Sequence, residues 1–246
     1  MKALFVVGTG RSGTHFTVRV LNGFENTYDP MAGRENSGIL RDVARAAIHH
    51  RLPSKKTTKY YQDLLGSQTG VLLDQHHPNL FFADHWCSIF NDLVFLYVER
   101  PTYQVVASML RHRGVMDWYR YATSWRQRLF NPVPYPNQFL GIKSASEIQS
   151  LPVHLLCAHR VVAHKKQFER QSLKLNGALR SINYEALVTD QSAELSRVFS
   201  SDEIELLGEF SIIEKPRRDS LSKYLDVLSE NEIEEISAFS KSSNCE

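Results

Sequence analysis

The sequence predicts an α/β protein: a mainly parallel central sheet with helices on both faces, three layers in all, and a P-loop-like phosphate-binding turn. Three observations predict it. Short apolar runs without helical periodicity, at residues 2–7, 70–74, 93–98 and 179–183, alternate with segments of helical spacing. The first run stops at a glycine-rich stretch, VVGTGRSGTHF, that leads into a helix-like pattern. With 246 residues, 42% of them hydrophobic, the chain has enough material for one sizeable core and little room for two domains.

Each element follows from its own residues. Residues 2–7 form a continuous apolar run ended by Gly8, as in a strand buried on both faces. From Thr14 onward, Phe16, Val20 and Leu21 are spaced for one face of a helix. Residues 22–69 make a long connection with two basic helical segments, RDVARAAIHHR and KKTTKYYQDLL, read as surface helices; long connections at the functional end of a sheet also build binding sites. Residues 70–74 are the second strand. LVFLYV, residues 93–98, is the third and clearest, followed by the helical VVASMLRHR. In DWYRYATSWRQR, the near-helical spacing of Trp118, Tyr119, Tyr121 and Trp125 reads as packing, and AHRVVAHKKQFERQ reads as the exposed face of a helix. Residues 179–183 are the fourth strand, running into YEALVTD and the helix-like QSAELSRVF. Ser229-Glu230-Asn231-Glu232 is a capping box that opens a last helix. No repeat or linker interrupts the chain, so residues 1–246 are expected to form one domain.

Composition excludes several function classes. A net charge of +2 gives no global electrostatic case for nucleic acid or a membrane surface, so any anion site must be local. The three cysteines, Cys87, Cys157 and Cys245, form no C-x-x-C pair, which suggests neither a disulfide framework nor a metal site and fits a reducing compartment. The N-terminal apolar run is too short for a signal peptide, and no run approaches membrane-spanning length. The expectation is a soluble, cytoplasmic protein whose oligomeric state the sequence does not reveal.

The first loop satisfies two glycine patterns. Gly8, Gly10 and Gly13 read as the G-x-G-x-x-G of a dinucleotide fold, but that fold needs a second strand ending in an acidic residue soon afterwards. NGFENTYDPMAGREN, in that place, is turn-rich and has no apolar run. A triphosphate P-loop needs Lys and then Ser or Thr after its last glycine, whereas Thr14 and His15 follow Gly13. What the loop does carry is Arg11, with Ser12 and Thr14 flanking Gly13, at the N-terminus of a helix where backbone N–H groups favour an anion.

These residues resemble the 5′-phosphosulfate loop of sulfotransferases that use 3′-phosphoadenosine 5′-phosphosulfate (PAPS). The resemblance implies that Gly8, Gly10, Arg11, Ser12, Gly13, Thr14 and His15 hold the donor, with Arg11 at the bridging oxygen of the sulfate. The family's 3′-phosphate motif is a strand ending in Arg followed by Ser eight residues later, and LVFLYVERPTYQVVAS resembles it with Arg100 and Ser108. Pro101 follows Arg100 directly, where the family's commonest form is R-D-P-R. ALRSINYEALVTD resembles the family segment whose tyrosine, here Tyr184, approaches the nucleotide. SLSKYLDVLSENEIEEI resembles the closing helix, and the basic run before it, including Arg217, is where late phosphate contacts are expected. Phe16 falls where some members place an aromatic against adenine, and equally where an amphipathic helix places a core residue.

The resemblance implies transfer of a sulfuryl group to a hydroxyl or amine of a carbohydrate, small molecule or peptide, with PAPS as co-substrate and no metal. Arg11 would stabilise charge on the leaving phosphate, since a guanidinium stays protonated. The proton acceptor has several candidates. LLDQHHPNL resembles the K-T-H-L-P of cytosolic members, putting His76 at the base and Asp74 in place of their lysine, with His77 as its neighbour. Asp29-Pro30 resembles the Glu-Pro of carbohydrate and protein-tyrosine sulfotransferases, and Glu35 is a further carboxylate. Two other readings stand beside this one: a P-loop small-molecule kinase, against which the missing lysine argues, and a nucleotide-binding module without turnover.

Overall fold

Strands β1 (Ala3–Val7), β2 (Thr27–Tyr28), β3 (Val71–Asp74), β4 (Leu93–Glu99) and β5 (Leu179–Asn183) pair in parallel as one sheet, ordered β2-β3-β1-β4-β5. The structure, a computed structural model, describes residues 1–67, 70–215 and 218–243. The first helices are α1 (Thr14–Leu21), α2 (Ser37–Ile48), α3 (Lys55–Gly66), α4 (Ala83–Ile89), α5 (Thr102–Leu110), α6 (Arg113–Thr123) and α7 (Trp125–Phe130). After them come α8 (Glu147–Ser150), α9 (Val153–Leu175), α10 (Tyr184–Thr189), α11 (Gln191–Val198), α12 (Ser201–Leu207) and α13 (Glu230–Ser242).

Why β1 is apolar at every position is plain from its packing. Ala3, Phe5 and Val7 join the cluster on one face with Val43 and Ala47 of α2, Tyr61 of α3 and Trp86 of α4. Leu4 and Val6 point the other way, to Val18 and Leu21 of α1, Leu187 of α10 and Leu195 of α11. This is the period-2 alternation of a strand covered on both sides. A third cluster joins Val105 and Met109 of α5, Cys157 and Val161 of α9 and Ile236 of α13.

The chain passes from β1 outward to β2, returns to β3, and then crosses to β4 on the other side of β1. The carboxyl end of β1 is therefore a topological switch point, the place where open α/β sheets bind ligands. Register does the rest. Val7 lies opposite Tyr97, and Glu99 opposite Asn183, so the turn after β1, the residues after β4 and the start of α10 line up along one edge of the sheet.

All four expected strands are present, as β1, β3, β4 and β5. β2 was not expected: two residues pairing with Val71 and Leu72 leave no apolar pattern to read. Ser229 caps α13 in the predicted capping box with Glu232. Two expectations are corrected. Of the four aromatics read as packing, Tyr119 is fully buried, but Trp125 is 62% exposed. The segment read as an exposed face lies within α9, where Arg160, His164, Gln167 and Gln171 are all buried. Their spacing puts them on one stripe of the helix. Among the described residues, no helix is long and apolar enough to cross a membrane.

Candidate functional site

The turn after β1 is held open by backbone geometry. Gly8 and Gly13 have φ of +153° and +117°, and Arg11 between them adopts the left-handed region at +81°. A non-glycine residue held there carries strain of about 1–2 kcal/mol, a cost usually kept at functional turns. A side chain at Gly8 would meet Ser12 Oγ at 2.8 Å, and one at Gly13 would run into the Tyr184 ring. Gly13 is the N-cap of α1 and no side chain caps the helix, so its first N–H groups face outward. The Ser12 hydroxyl is buried against Gly8 with no hydrogen-bond partner.

The expected 3′-phosphate residues come to the same place. Arg11 Nε donates to Ser108 Oγ at 3.3 Å, joining two motifs 97 residues apart. Arg100 lies with its guanidinium 4.2 Å over the Tyr184 ring, a cation–π stack. It donates through Nε to Gln104 Oε1 at 2.9 Å and through Nη2 to the Ser220 carbonyl at 2.9 Å. Gln104 in turn donates to Glu185 at 2.6 Å, and the Tyr184 hydroxyl meets Ser220 Oγ at 3.1 Å. Phe16 packs edge-on against Tyr184 at 5.6 Å, half-buried. Arg217 lies outside the described residues.

The proton-acceptor candidates separate sharply. His76 is 1% exposed, with Nδ1 2.5 Å from Asp74 Oδ1 and Nε2 accepting from the Asn36 N–H at 3.1 Å. The second bond puts the proton of the neutral ring on Nδ1. Asp74 also accepts from Tyr61 and Asn79, and Asn79 accepts from Trp86 Nε1, so His76 belongs to a buried polar network beneath the N-terminus of α2. Asp29 accepts from the N–H groups of Met31 and Gly33, which shapes its own turn. Neither residue lines the cleft.

Glu35 and His77 do line it. Glu35 Oε1 lies 3.4 Å from His15 Nε2 and 3.9 Å from His77 Nδ1. Burial would raise the Glu35 pKa, but hydrogen bonds and charge from the two imidazoles outweigh it and hold the carboxyl well below the usual carboxylate range. Burial pushes His77 below its ordinary value despite Glu35, with Arg160 adding to the effect. His77 Nε2 is buried without a partner, packed on the loop where a side chain at Gly10 would come within 3.0 Å of it.

All this opens on one cleft of about 800 Å³, a size suited to a small-molecule ligand. At one end stand the loop, Arg100, Ser108 and Tyr184, with Ser220, Lys223 and Tyr224 closing over them. A second group lines the same cleft, Arg41 and Arg45 of α2, Trp118 and Tyr121 of α6, and Arg160 of α9, joined by contacts from Arg45 to Tyr121, Tyr121 to Trp118, Trp118 to Phe139 and Phe139 to Arg160. The sequence reading missed this second group. Its signal was present in α9, as polar residues recurring at helical spacing among apolar ones. His164 shows what that stripe does: Nδ1 lies 3.0 Å from the Gly8 carbonyl and Nε2 3.1 Å from that of Phe139, tying α9 to the loop. Among the described residues, no group of three or more His, Cys, Asp or Glu side chains is arranged to hold a metal ion.

Solved structures share this fold. A sulfotransferase from Alicyclobacillus acidocaldarius superposes on 99% of this chain and 92% of its own at a TM-score of 0.57, with 16% identity. A sulfotransferase domain from the curacin biosynthetic pathway superposes on 96% of each chain at 0.52, with 12% identity. No family model matches the chain, and no curated protein sequence matches it.

Proposed function

We propose that this chain is a PAPS-dependent sulfotransferase, acting as a single domain over residues 1–246. One observation carries the reading: three segments that each resemble part of a PAPS site, far apart in sequence, converge on one cleft. Arg11 is bonded to Ser108, and Tyr184 lies between Gly13 and Arg100. The shared fold supports it.

In this reading the α1 N–H groups, Arg11 and the unpartnered Ser12 hydroxyl hold the 5′-phosphosulfate, while Arg100 and Ser108 hold the 3′-phosphate. Phe16 and Tyr184 flank the base. Transfer resembles in-line phosphoryl transfer. The acceptor oxygen bonds to sulfur as the bond from sulfur to the 5′-phosphate oxygen breaks, and the phosphate leaves with the negative charge that Arg11 and the loop stabilise. The acceptor proton goes to Glu35, the carboxylate that faces the cleft between His15 and His77. His76 acts at one remove, by fixing the backbone of Asn36 beside that carboxylate. Asp29 acts as a turn residue.

Melting curves with adenosine 3′,5′-bisphosphate (PAP), with ATP and magnesium, and with NAD test the reading. Ligand at a hundred times its dissociation constant adds about 2.7 kcal/mol of stability. The expected result is a rise in Tm with PAP alone, lost in Arg100→Ala. A rise with ATP alone would replace this reading with a kinase.

A further inference from the structure

Arg160 stands apart among the charged groups of the described residues. It sits in the middle of α9, 1% exposed, and both Nε and Nη1 are buried without a hydrogen-bond partner. Its guanidinium lies 4.7 Å over the Phe139 ring. The groups that act on its charge are the Tyr119 hydroxyl and the Cys157 thiol, and no carboxylate is among them. A buried cation with open donors is strongly unfavourable unless something completes it. Arg160 lines the cleft, its two unpartnered nitrogens buried at the cleft wall, and lies close enough to His77 to influence its protonation.

The surrounding wall points to what completes it. Arg41 and Arg45 line the same cleft, Arg45 lying 5.2 Å over the Tyr121 ring, and Tyr121 connects through Trp118 and Phe139 to Arg160. The acids there are already engaged: Glu35 by His15 and His77, and Asp117 by Arg120 at 2.8 Å. In the proposed reading the donor's own phosphates already have Arg11, Arg100, Ser108 and the α1 amides as partners. We propose that Arg160 receives a negatively charged oxygen group, such as a carboxylate, of the acceptor, so that the molecule to be sulfated is an anion carrying a hydroxyl or amine. This rests on the sulfotransferase reading, and identifies the acceptor class for that site.

The test uses full-length protein saturated with PAP and pairs of probes that differ in charge: 4-hydroxybenzoate against 4-hydroxybenzyl alcohol, and glucuronate against glucose. Isothermal titration is expected to show the anion of at least one pair binding tenfold or more tighter than its neutral partner, with that preference lost in Arg160→Met and PAP affinity kept. The ligand-free Arg160→Met protein is expected to melt above wild type, because removing an unmatched buried charge relieves the fold. Absence of any preference for the anions overturns the proposal, as does a preference that Arg160→Met leaves intact. A Met variant that melts lower or fails to fold also overturns it, by making Arg160 a structural residue. Arg160→Lys, which keeps the charge and loses the planar fork, is expected to fold and to bind the anions more weakly; unchanged anion binding there counts against a fitted site. If Arg160→Met weakens PAPS but not PAP, the guanidinium serves the sulfuryl group and the acceptor assignment falls. PAP binding by the wild type is measured first and separately: its failure removes the sulfotransferase reading, whereas the anion preference is still read on protein without nucleotide.

Discussion

The two ends of the cleft are built in different ways. The donor end is made where strands stop: the turn after β1, Arg100 after β4 and Tyr184 after β5, aligned by parallel register and shaped by backbone at Gly8, Arg11 and Gly13. The acceptor end is made of side chains from helices whose sequences share nothing local, α2, α6 and α9. In the proposed reading, a donor common to many proteins is held by geometry that a turn can supply alone, and a particular acceptor is held by faces of helices that meet only in the folded chain.

Paired variants test that division most strongly. Arg11→Ala is expected to lower kcat/KM by about 10²–10³, the usual loss when a group aimed at developing charge is removed, and to weaken PAP as well. Glu35→Gln is expected to lower kcat by about 10²–10⁴, as for a general base, and to leave PAP affinity within twofold of wild type. Steady-state kinetics and PAP titration on both variants decide the matter. If Glu35→Gln loses PAP affinity as Arg11→Ala does, the two ends are one site and the comparison fails.

A smaller effect comes from striking the acceptor end without touching the cleft. His76→Ala removes the imidazole Nδ1–H from buried Asp74 and the Nε2 acceptor from the Asn36 N–H, and the Asn36 side chain caps α2 by accepting from Gly38 and Ile39. Leaving a buried carboxylate short of a hydrogen-bond donor costs about 1–3 kcal/mol. Urea unfolding is expected to show that loss, while PAP affinity of the folded protein is retained because the donor loop rests on β1 and His164. Lost PAP binding in a protein still folded would show that the buried network serves both ends.

What the sequence made legible follows the same division. Continuous apolar runs revealed β1, β3, β4 and β5, and glycine spacing revealed the loop, because in each case the physical demand falls on neighbouring residues. β2 escaped because an edge strand of two residues makes no such demand. His76 and His77 show the limit for side chains. The first ends an extended segment and turns into the core; the second starts a 3-10 turn, His77–Phe82, and reaches the cleft. Only the position of that turn separates them, and pattern does not fix it to one residue. In α9 the buried stripe is polar, so a search for apolar periodicity passed over Arg160 and His164.

The two ends also differ in how they meet acid. Guanidinium groups, on which the donor end relies, keep their charge at any pH the protein survives. Glu35 at the acceptor end is held below its ordinary value of 4.5, so between these values the folded chain binds fewer protons than the unfolded one. Its contribution to stability is therefore complete above about pH 4.5 and is lost as the pH falls below that, toward the lowered folded value. Glu35→Gln has no such group and is expected to lose stability less steeply than wild type between about pH 5 and about pH 3, where a carboxylate kept ionised by the fold takes up its proton on unfolding. Urea unfolding of both proteins at several pH values measures the two slopes. Parallel slopes would mean that His15 and His77 do not hold Glu35 ionised, and the proposed acceptor end would lose the ionised carboxylate that separates its chemistry from the donor end's.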